Sequence, residues 1–443
     1  MSDVLQRYRA VEYSLPTDQR SWFLYGAGME NLGKDKQPVP NTVPTCGPDE
    51  LLVRCDATGL CFSDIKIIKQ GGDHIRIKRD LAKEPAIMGH ESVVSVVKVG
   101  ENLTGQFSVG QRFVVQADIY VNGVGKAYGY AQPGAMTQYE TMGQDVLNGD
   151  EGCYLIPIKE ETGYAQAALT EPWACVVHSY VLSYRQSIKD GGTCLMVGGD
   201  GADALTLGTT FANAVPSRIV AANLPANLLT AIKATGAEII EVGCGGQCGG
   251  LDTLVEANTN GAGFDDIIVC GKVNDDCLEK LATKLSHGGL FNIVCNKPTE
   301  REISVDVGCI HYDDWYYIGT SGTDISAAYG SHRTRTELKA GGTAWLLGAG
   351  GPMGQMHVQR ACEMPNGPKL IVATDIDPAR LQELRERFIP AAEAHDRTLI
   401  VLNPQDFTPE AFNAKLSELN GGRGFDDVVA LVPVPVLIKQ AAG

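Results

Sequence analysis

The tetrapeptide GFDD followed by a β-branched run occurs twice, as GFDDIIVCGKV at 263–273 and as GFDDVVALVPV at 424–434. Each copy reads as a strand that starts at a turn and is then buried on both faces, as in parallel sheets. The repeat extends upstream. GTCLMVGG at 192 matches GTAWLLGA at 342, and PSRIVAAN at 216 matches PKLIVATD at 368. From Gly191 onward strands alternate with helix-length segments, TCLMVGGDGADALTLGTTFA reading as strand, Gly-rich turn and helix. That alternation implies βαβ units and a doubly wound parallel sheet. The second half of the chain is therefore expected to hold one α/β domain in duplicate. The first copy continues to about Gly322, whereas the second stops at Gly443. The strands that would finish the second copy are lacking, so the sequence reads as a fragment whose open sheet edge is expected to be unstable or sticky. Residues 1 to about 185 differ in texture, with short alternating runs such as LLVRCDATG and ESVVSVVKVG broken by Gly and Pro. They imply a β-rich domain.

A chain of 443 residues has room for roughly three domains of about 150 residues each. The 53 acidic and 37 basic residues give a net charge of −16, which argues against nucleic acid or an anionic membrane as partner and for a small-molecule substrate. The N-terminus lacks an apolar signal core, and no run approaches the roughly 18 apolar residues of a spanning helix. A cytoplasmic location is expected. Thirteen cysteines without regular spacing read mostly as small buried side chains, not as a disulfide framework.

The two α/β copies differ at the turn after their first strand. In the second, Gly348, Gly350, Gly351 and Gly354 lie in LLGAGGPMG between strand and helix, and the next strand ends in Asp375. Glycines there let the backbone approach a pyrophosphate at a helix N-terminus, and an acid about 20 residues on suits a ribose hydroxyl. The alternative is a doubly wound domain that binds no nucleotide. In the first copy the turn is MVGGDGADAL, with Asp200 and Asp203 among its glycines and Asn223 in the place of the acid. Carboxylates there would repel a pyrophosphate, so the first copy is expected to be the degenerate one.

The remaining chemistry lies in the N-terminal part. GLCFSD carries Cys61, Ser63 and Asp64, EPAIMGHES carries His90 and Glu91, and LTEPWACVVH places Glu171 before a helix. A thiolate, an imidazole and a carboxylate are the ligand types of a catalytic zinc, which uses three protein groups and keeps a fourth position open. Singly, Cys61 also reads as a buried thiol, His90 as a hydrogen-bonded core histidine, and Glu171 as a charge stabilised by a helix dipole. Between the first two, HIRIKRDLAK holds Arg76, Lys78, Arg79 and Lys83, read either as a clamp for a sugar phosphate or as a solvated hairpin.

GLCFSD, then MGHESVVSVVKVGENLTGQFSVGQRFVV, the TEPWACVVHS helix and the Gly-rich turns together resemble the zinc-dependent medium-chain alcohol and polyol dehydrogenase superfamily, over nearly the whole chain. Within it, LLGAGGPMG, VATDIDPARL, GGRGFDDVVALVPVPVLI and IHYDDWYYIGTSG are similar to sorbose-1-phosphate reductases. The resemblance implies a GroES-like catalytic domain over 1–188, a first Rossmann-like domain with degenerate glycine motif over 189–325, and a second with intact fingerprint over 340–443. It implies that Cys61, His90 and Glu171 bind zinc, with Glu91 an exchangeable or outer carboxylate and Ser63 a relay for the substrate proton. The alcohol oxygen would take the open zinc position, and hydride would pass to C4 of the nicotinamide. Many relatives hold a second, structural zinc with four closely spaced cysteines after the GHE strand pair; residues 100–150 contain none, so one catalytic zinc and no structural zinc is expected. Sorbose-1-phosphate reductases are associated with NADP, whereas Asp375 would repel a 2′-phosphate, which leaves NAD or NADP. The expected function is oxidation of a secondary alcohol of a polyol or sugar phosphate to its ketone, in a homo-oligomer. The alternatives are a zinc-independent reductase of the same superfamily and a non-catalytic nucleotide-binding sensor or scaffold.

Overall fold

A computed structural model describes residues 14–77, 79–181, 184–243, 249–333 and 335–442. By internal contacts the chain divides into two compact units, one comprising Met1–Ser179 and Ala340–Gly443, the other Tyr180–Lys339.

The N-terminal stretch folds around β1 (Leu51–Thr58), β2 (Ser92–Val99), β3 (Arg112–Val115), β4 (Tyr139–Met142) and β5 (Leu155–Pro157), joined antiparallel in the order β4-β1-β2-β3-β5. The alternation legible in the sequence sorts the two faces of this sheet. Leu51 and Val53, Val94 and Val96, Phe113 and Val115 point into one buried cluster, while Val93 and Val114 pack on the other side under Ala167 and Ala168. Helix α1 (Phe62–Gln70) follows β1, and α2 (Thr170–Val181) ends this stretch.

The second unit carries six parallel strands, β6 (Thr193–Gly198), β7 (Arg218–Ala222), β8 (Glu238–Val242), β9 (Phe264–Cys270), β10 (Leu285–Val294) and β11 (Tyr316–Thr320), in the order β8-β7-β6-β9-β10-β11. Its strands read as unbroken apolar runs because both faces are covered. Leu195 and Val197 enter one core cluster, and Cys194 and Met196 enter another.

Residues 340–443 repeat the first four strands of this pattern: β12 (Thr343–Leu347), β13 (Leu370–Thr374), β14 (Thr398–Leu402) and β15 (Asp427–Ala430), in the order β14-β13-β12-β15. The expected fold class, a β-rich GroES-like domain followed by a duplicated doubly wound parallel sheet, holds. Where β9 has β10 on its far side, β15 pairs with β12 alone among the described strands. Val428 is accordingly 40% exposed, whereas its counterpart Ile267 is fully buried.

The repeated GFDD has a structural cause. Gly263 and Gly424 both have positive φ, 88° and 77°, the left-handed region that glycine enters without strain. The aspartate that follows the Phe ties the start of its own strand to the first strand of its copy. Asp265 Oδ2 accepts from Thr193 N at 2.8 Å and Thr193 Oγ1 at 3.1 Å; Asp426 Oδ2 accepts from Thr343 N at 2.9 Å and Thr343 Oγ1 at 3.2 Å.

One expected element does not form. After β6 the chain makes only a single 3₁₀ turn, Ala202–Ala204, and no α-helix before β7. Gly208 has φ 53°, Thr210 Oγ1 bonds back to Leu207 O, and Thr206 exchanges backbone bonds with Thr323 O and Ile325 N at 2.9 and 3.0 Å. The backbone donors and acceptors that a helix would use within itself are bonded across the chain instead. Among the described residues ten cysteines are free thiols, and Cys277 is disulfide-bonded. No helix among the described residues is long and apolar enough to cross a membrane.

Candidate functional site

Three sequence-predicted residues meet at the end of β1 and the start of β2. The ligand atoms of Cys61, His90 and Glu91 all lie within 4.8 Å of one another. Cys61 is the N-cap of α1, in extended conformation, and Asp64 closes a capping box by accepting from Cys61 N at 2.9 Å. This local motif fixes where the thiol projects. His90 and Glu91 follow Gly89, whose φ of 97° permits a sharp turn where a Cβ would meet Thr58 Oγ1 at 2.9 Å. Gly59 leaves room for the neighbouring carboxylate, since a Cβ there would lie 2.0 Å from Glu91 Oε2.

Glu171, the expected third ligand, is not a member of this group, although Glu91 is. It is half-buried on α2, accepts from Cys175 Sγ at 3.9 Å and reaches the site electrostatically. Burial raises its pKa, His90 lowers it, and Glu91 and Asp118 raise it. Burial likewise raises the Glu91 and Asp64 carboxyls. Burial pulls the His90 imidazole down, but a hydrogen bond to Cys61 and the charges of Asp64, Glu171 and Cys61 outweigh it and push it up to about 9. Carboxylates that resist ionisation around an imidazole that resists deprotonation describe a site short of positive charge.

Ser63 Oγ lies 3.3 Å from His90 Nε2, and the nearby Tyr130 phenol is raised by burial and lowered by Ser63. Behind the imidazole, Asp64 Oδ1 stands 3.7 Å from His90 Nδ1, and neither buried atom has a hydrogen-bond partner among the described residues. Two orphaned buried polar atoms facing each other are costly. They fit an arrangement in which Nε2 is drawn to a cation and Nδ1–H turns to the carboxylate. Asp64 was visible in GLCFSD at the capping spacing from Cys61. Tyr130, Asp118 and Cys175 gave no signal in the sequence.

The intact glycine fingerprint takes the expected form locally. Gly348 has φ 79° and donates its N–H to Thr374 O at 2.8 Å. Gly351 is the N-cap of α3 (Pro352–Glu363), with Pro352 at the first helical position. A Cβ on Gly354 would lie 2.5 Å from the carbonyl of Ala349, whereas one on Gly351 would meet no atom within 4 Å. Gly354 is thus required by the turn itself, while Gly351 borders open space at a helix N-terminus. Asp375 Oδ2 accepts from Gly350 N at 2.8 Å, and its Oδ1 accepts from Ile376 N and Asp377 N.

The matching turn in the first copy is closed. Asp200 and Lys272 exchange backbone hydrogen bonds at 2.8 and 2.9 Å, joining the ends of β6 and β9 at the point where the strand order reverses, and the Asp200 carboxylate pairs with Lys297. A Cβ on Gly199 would strike Lys272 O at 2.3 Å. Among the described residues no α-helix starts behind this turn, which is followed only by the 3₁₀ turn Ala202–Ala204.

Comparison with known proteins agrees with a β-rich N-terminal domain followed by doubly wound sheets. Residues 47–155 match the alcohol dehydrogenase GroES-like domain. The mannitol-1-phosphate 5-dehydrogenase of Aliivibrio fischeri is 29% identical over 362 residues, covering 76% of this chain and 84% of that protein. The L-sorbose 1-phosphate reductase of Klebsiella pneumoniae is 28% identical over 305 residues, covering 63% and 71%. Among solved structures, 2R,3R-butanediol dehydrogenase from Bacillus subtilis aligns with 74% of this chain and 92% of its own, at 18% identity and a TM-score of 0.31. Residues 47–155 are an alcohol dehydrogenase GroES-like domain, and the chain is an enzyme similar to alcohol and polyol dehydrogenases.

Proposed function

We propose that this enzyme interconverts the secondary alcohol of a polyol phosphate and its ketone, with one catalytic zinc and NAD. The observation that carries the reading is the approach of Cys61, His90 and Glu91 to within 4.8 Å, with Asp64 behind the imidazole. Cys61, His90 and Glu91 would hold the zinc, with Glu171, whose charge acts on His90, as the alternative carboxylate. When bound, the zinc supplies a Lewis acid that acidifies the substrate hydroxyl, and the nicotinamide supplies the hydride acceptor.

The rest is the work of this chain's own residues. Ser63 Oγ, 3.3 Å from His90 Nε2, accepts the proton of the substrate hydroxyl while giving up its own to solvent. Asp64 keeps the proton on His90 Nδ1 and frees Nε2. Cys61, set by the helix cap, and Glu91, set by the turn at Gly89, need little reorganisation. NAD is assigned to Gly348, Gly350, Gly351, Gly354 and Asp375 of the second α/β copy, because the first lacks the helix N-terminus and has its turn bonded shut. Asp375 favours a ribose 2′-hydroxyl over a 2′-phosphate. In this reading 1–188 is the catalytic domain, 189–325 a structural copy and 340–443 the nucleotide-binding copy. Both relatives described above are named for polyol or sugar phosphates, which supports the substrate class.

Elemental analysis of the purified protein and of Cys61→Ser tests the centre. About one zinc per chain, lost in the variant together with polyol oxidation, is expected. A folded, zinc-free wild-type protein that still reduces ketoses would overturn it in favour of a zinc-independent reductase.

A further inference from the structure

We propose that Arg76 is the residue by which this site recognises the phosphate of its substrate, and that Asp118 holds the guanidinium until an anion takes its place. The inference rests on the dehydrogenase reading insofar as it puts the reacting carbinol at Cys61, His90 and Glu91.

The basic segment that follows α1 is not a uniform clamp. Arg79 is spent on the backbone, donating to Ala131 O at 2.8 Å and to Glu84 O at 3.2 Å. Lys83 points outward, 85% exposed, with Asp80. Lys78 lies outside the described residues. Arg76 alone of the three described cations is turned toward the metal-ligand group. Its guanidinium carbon lies 5.3 Å from the centre of the Tyr130 ring, and the same ring is 5.5 Å from that of His90. The next residue, Ile77, is 3% exposed and packs with Ile67, Ile68 and Met88, which anchors the loop so that Arg76 is presented at a fixed place.

Two neighbours complete an anion site. Arg76 N donates to His74 Nδ1 at 3.2 Å, which leaves Nε2–H of a neutral His74 as a further donor. The His74 ring is 5.6 Å from Tyr130, and its pKa is lowered by burial and by the charges of Arg76 and Lys66. Arg76 Nη1 donates to Asp118 Oδ1 at 2.7 Å. With the guanidinium over the Tyr130 ring and that ring against His90, the ion pair is one ring removed from the metal-ligand group. A phosphate of charge about −1.5 to −2 is repelled by the Glu91 and Asp118 carboxylates, and among the described cations of the basic segment Arg76 is the one that offers it a planar guanidinium for paired hydrogen bonds on this side. Asp118 is 54% exposed, so it can swing into water when a dianion displaces it.

Titration calorimetry on the full-length zinc-loaded protein with D-mannitol 1-phosphate, D-mannitol and inorganic phosphate tests this, alongside turnover. Arg76→Gln should weaken mannitol 1-phosphate by about 10- to 100-fold, the worth of charge-assisted hydrogen bonds, and abolish phosphate binding while leaving mannitol unchanged. Asp118→Asn should act in the opposite direction, tightening both phosphate ligands several-fold, which a merely structural role would not do. A preference for the phosphorylated polyol that survives Arg76→Gln, or a wild type with no such preference, overturns the assignment and leaves the dehydrogenase standing. Phosphate binding lost in Arg76→Gln, in a wild type that oxidises no polyol, supports the anion site and overturns the dehydrogenase reading instead.

Discussion

Replacing Asp64 by Asn separates two jobs that one carboxylate does. Asp64 is 3% exposed. Its Oδ2 caps α1 through Cys61 N at 2.9 Å, and its Oδ1 faces His90 Nδ1 at 3.7 Å. Asn keeps an oxygen for the cap, so the cap's worth of about 1 kcal/mol is retained, and it removes a carboxylate whose burial already disfavours its charge. The metal-free protein should therefore melt close to the wild type. What Asn cannot do is draw the proton onto Nδ1 by charge. Loss of such a partner behind a ligating histidine costs about 10- to 100-fold in metal affinity, or roughly 1.4 to 2.8 kcal/mol. Competition for zinc against a chromophoric chelator at pH 7.5 measures this, with calorimetric melts of the metal-free proteins alongside. The His90 resonance should also titrate below the value of about 9 that Asp64 helps to maintain. A variant that binds zinc within about threefold of the wild type, while Cys61→Ser loses it, would reduce Asp64 to a helix cap and refute the reasoning.

Two further outcomes follow from buried groups elsewhere. Glu140 accepts from Tyr128 Oη and from Cys55 Sγ inside the N-terminal β-rich domain, and burial raises its pKa from 4.5 to about 7 against the lowering effect of those two bonds. The folded state then keeps a proton that the unfolded state has lost, so the contribution of Glu140 to stability is greatest below pH 4.5 and declines up to about pH 7, by about 3 kcal/mol in all. Glu140→Gln, which keeps an acceptor oxygen, should flatten urea-derived stability between pH 5 and 8 and be the more stable protein at pH 8; an unchanged slope would count against the buried charge. Gly354→Ala puts a Cβ 2.5 Å from the Ala349 carbonyl, backbone that cannot yield without opening the turn, at about 1 to 3 kcal/mol. NADH fluorescence titration should show binding lost with zinc content unchanged, and undiminished NADH affinity would move the cofactor to the first copy.

Much of this molecule is written in short-range patterns. The duplicated sheet was legible because a strand buried on both faces is a run of β-branched residues, and because Gly263 and Gly424 must each adopt a left-handed turn before an aspartate that ties down the first strand. The fingerprint of the second copy was legible for the same reason, each glycine answering to a contact within the turn or to the space beside it. Cys61, Ser63 and the pair His90 and Glu91 stood out as residue types in sequence neighbourhoods. The tertiary structure alone decided which distant groups meet. It put Glu91 within the ligand group and left Glu171 at its margin, and it set Asp64 behind His90. It kept Arg76 facing the site while the backbone took up Arg79. It also withheld the helix expected after the first glycine turn, because Thr206 found backbone partners at Thr323 and Ile325, far along the chain. Periodicity and turn chemistry act over a few residues and so survive in the sequence. Charge partners and backbone pairings between distant segments depend on distances of a few ångströms, which exist only once the chain has folded.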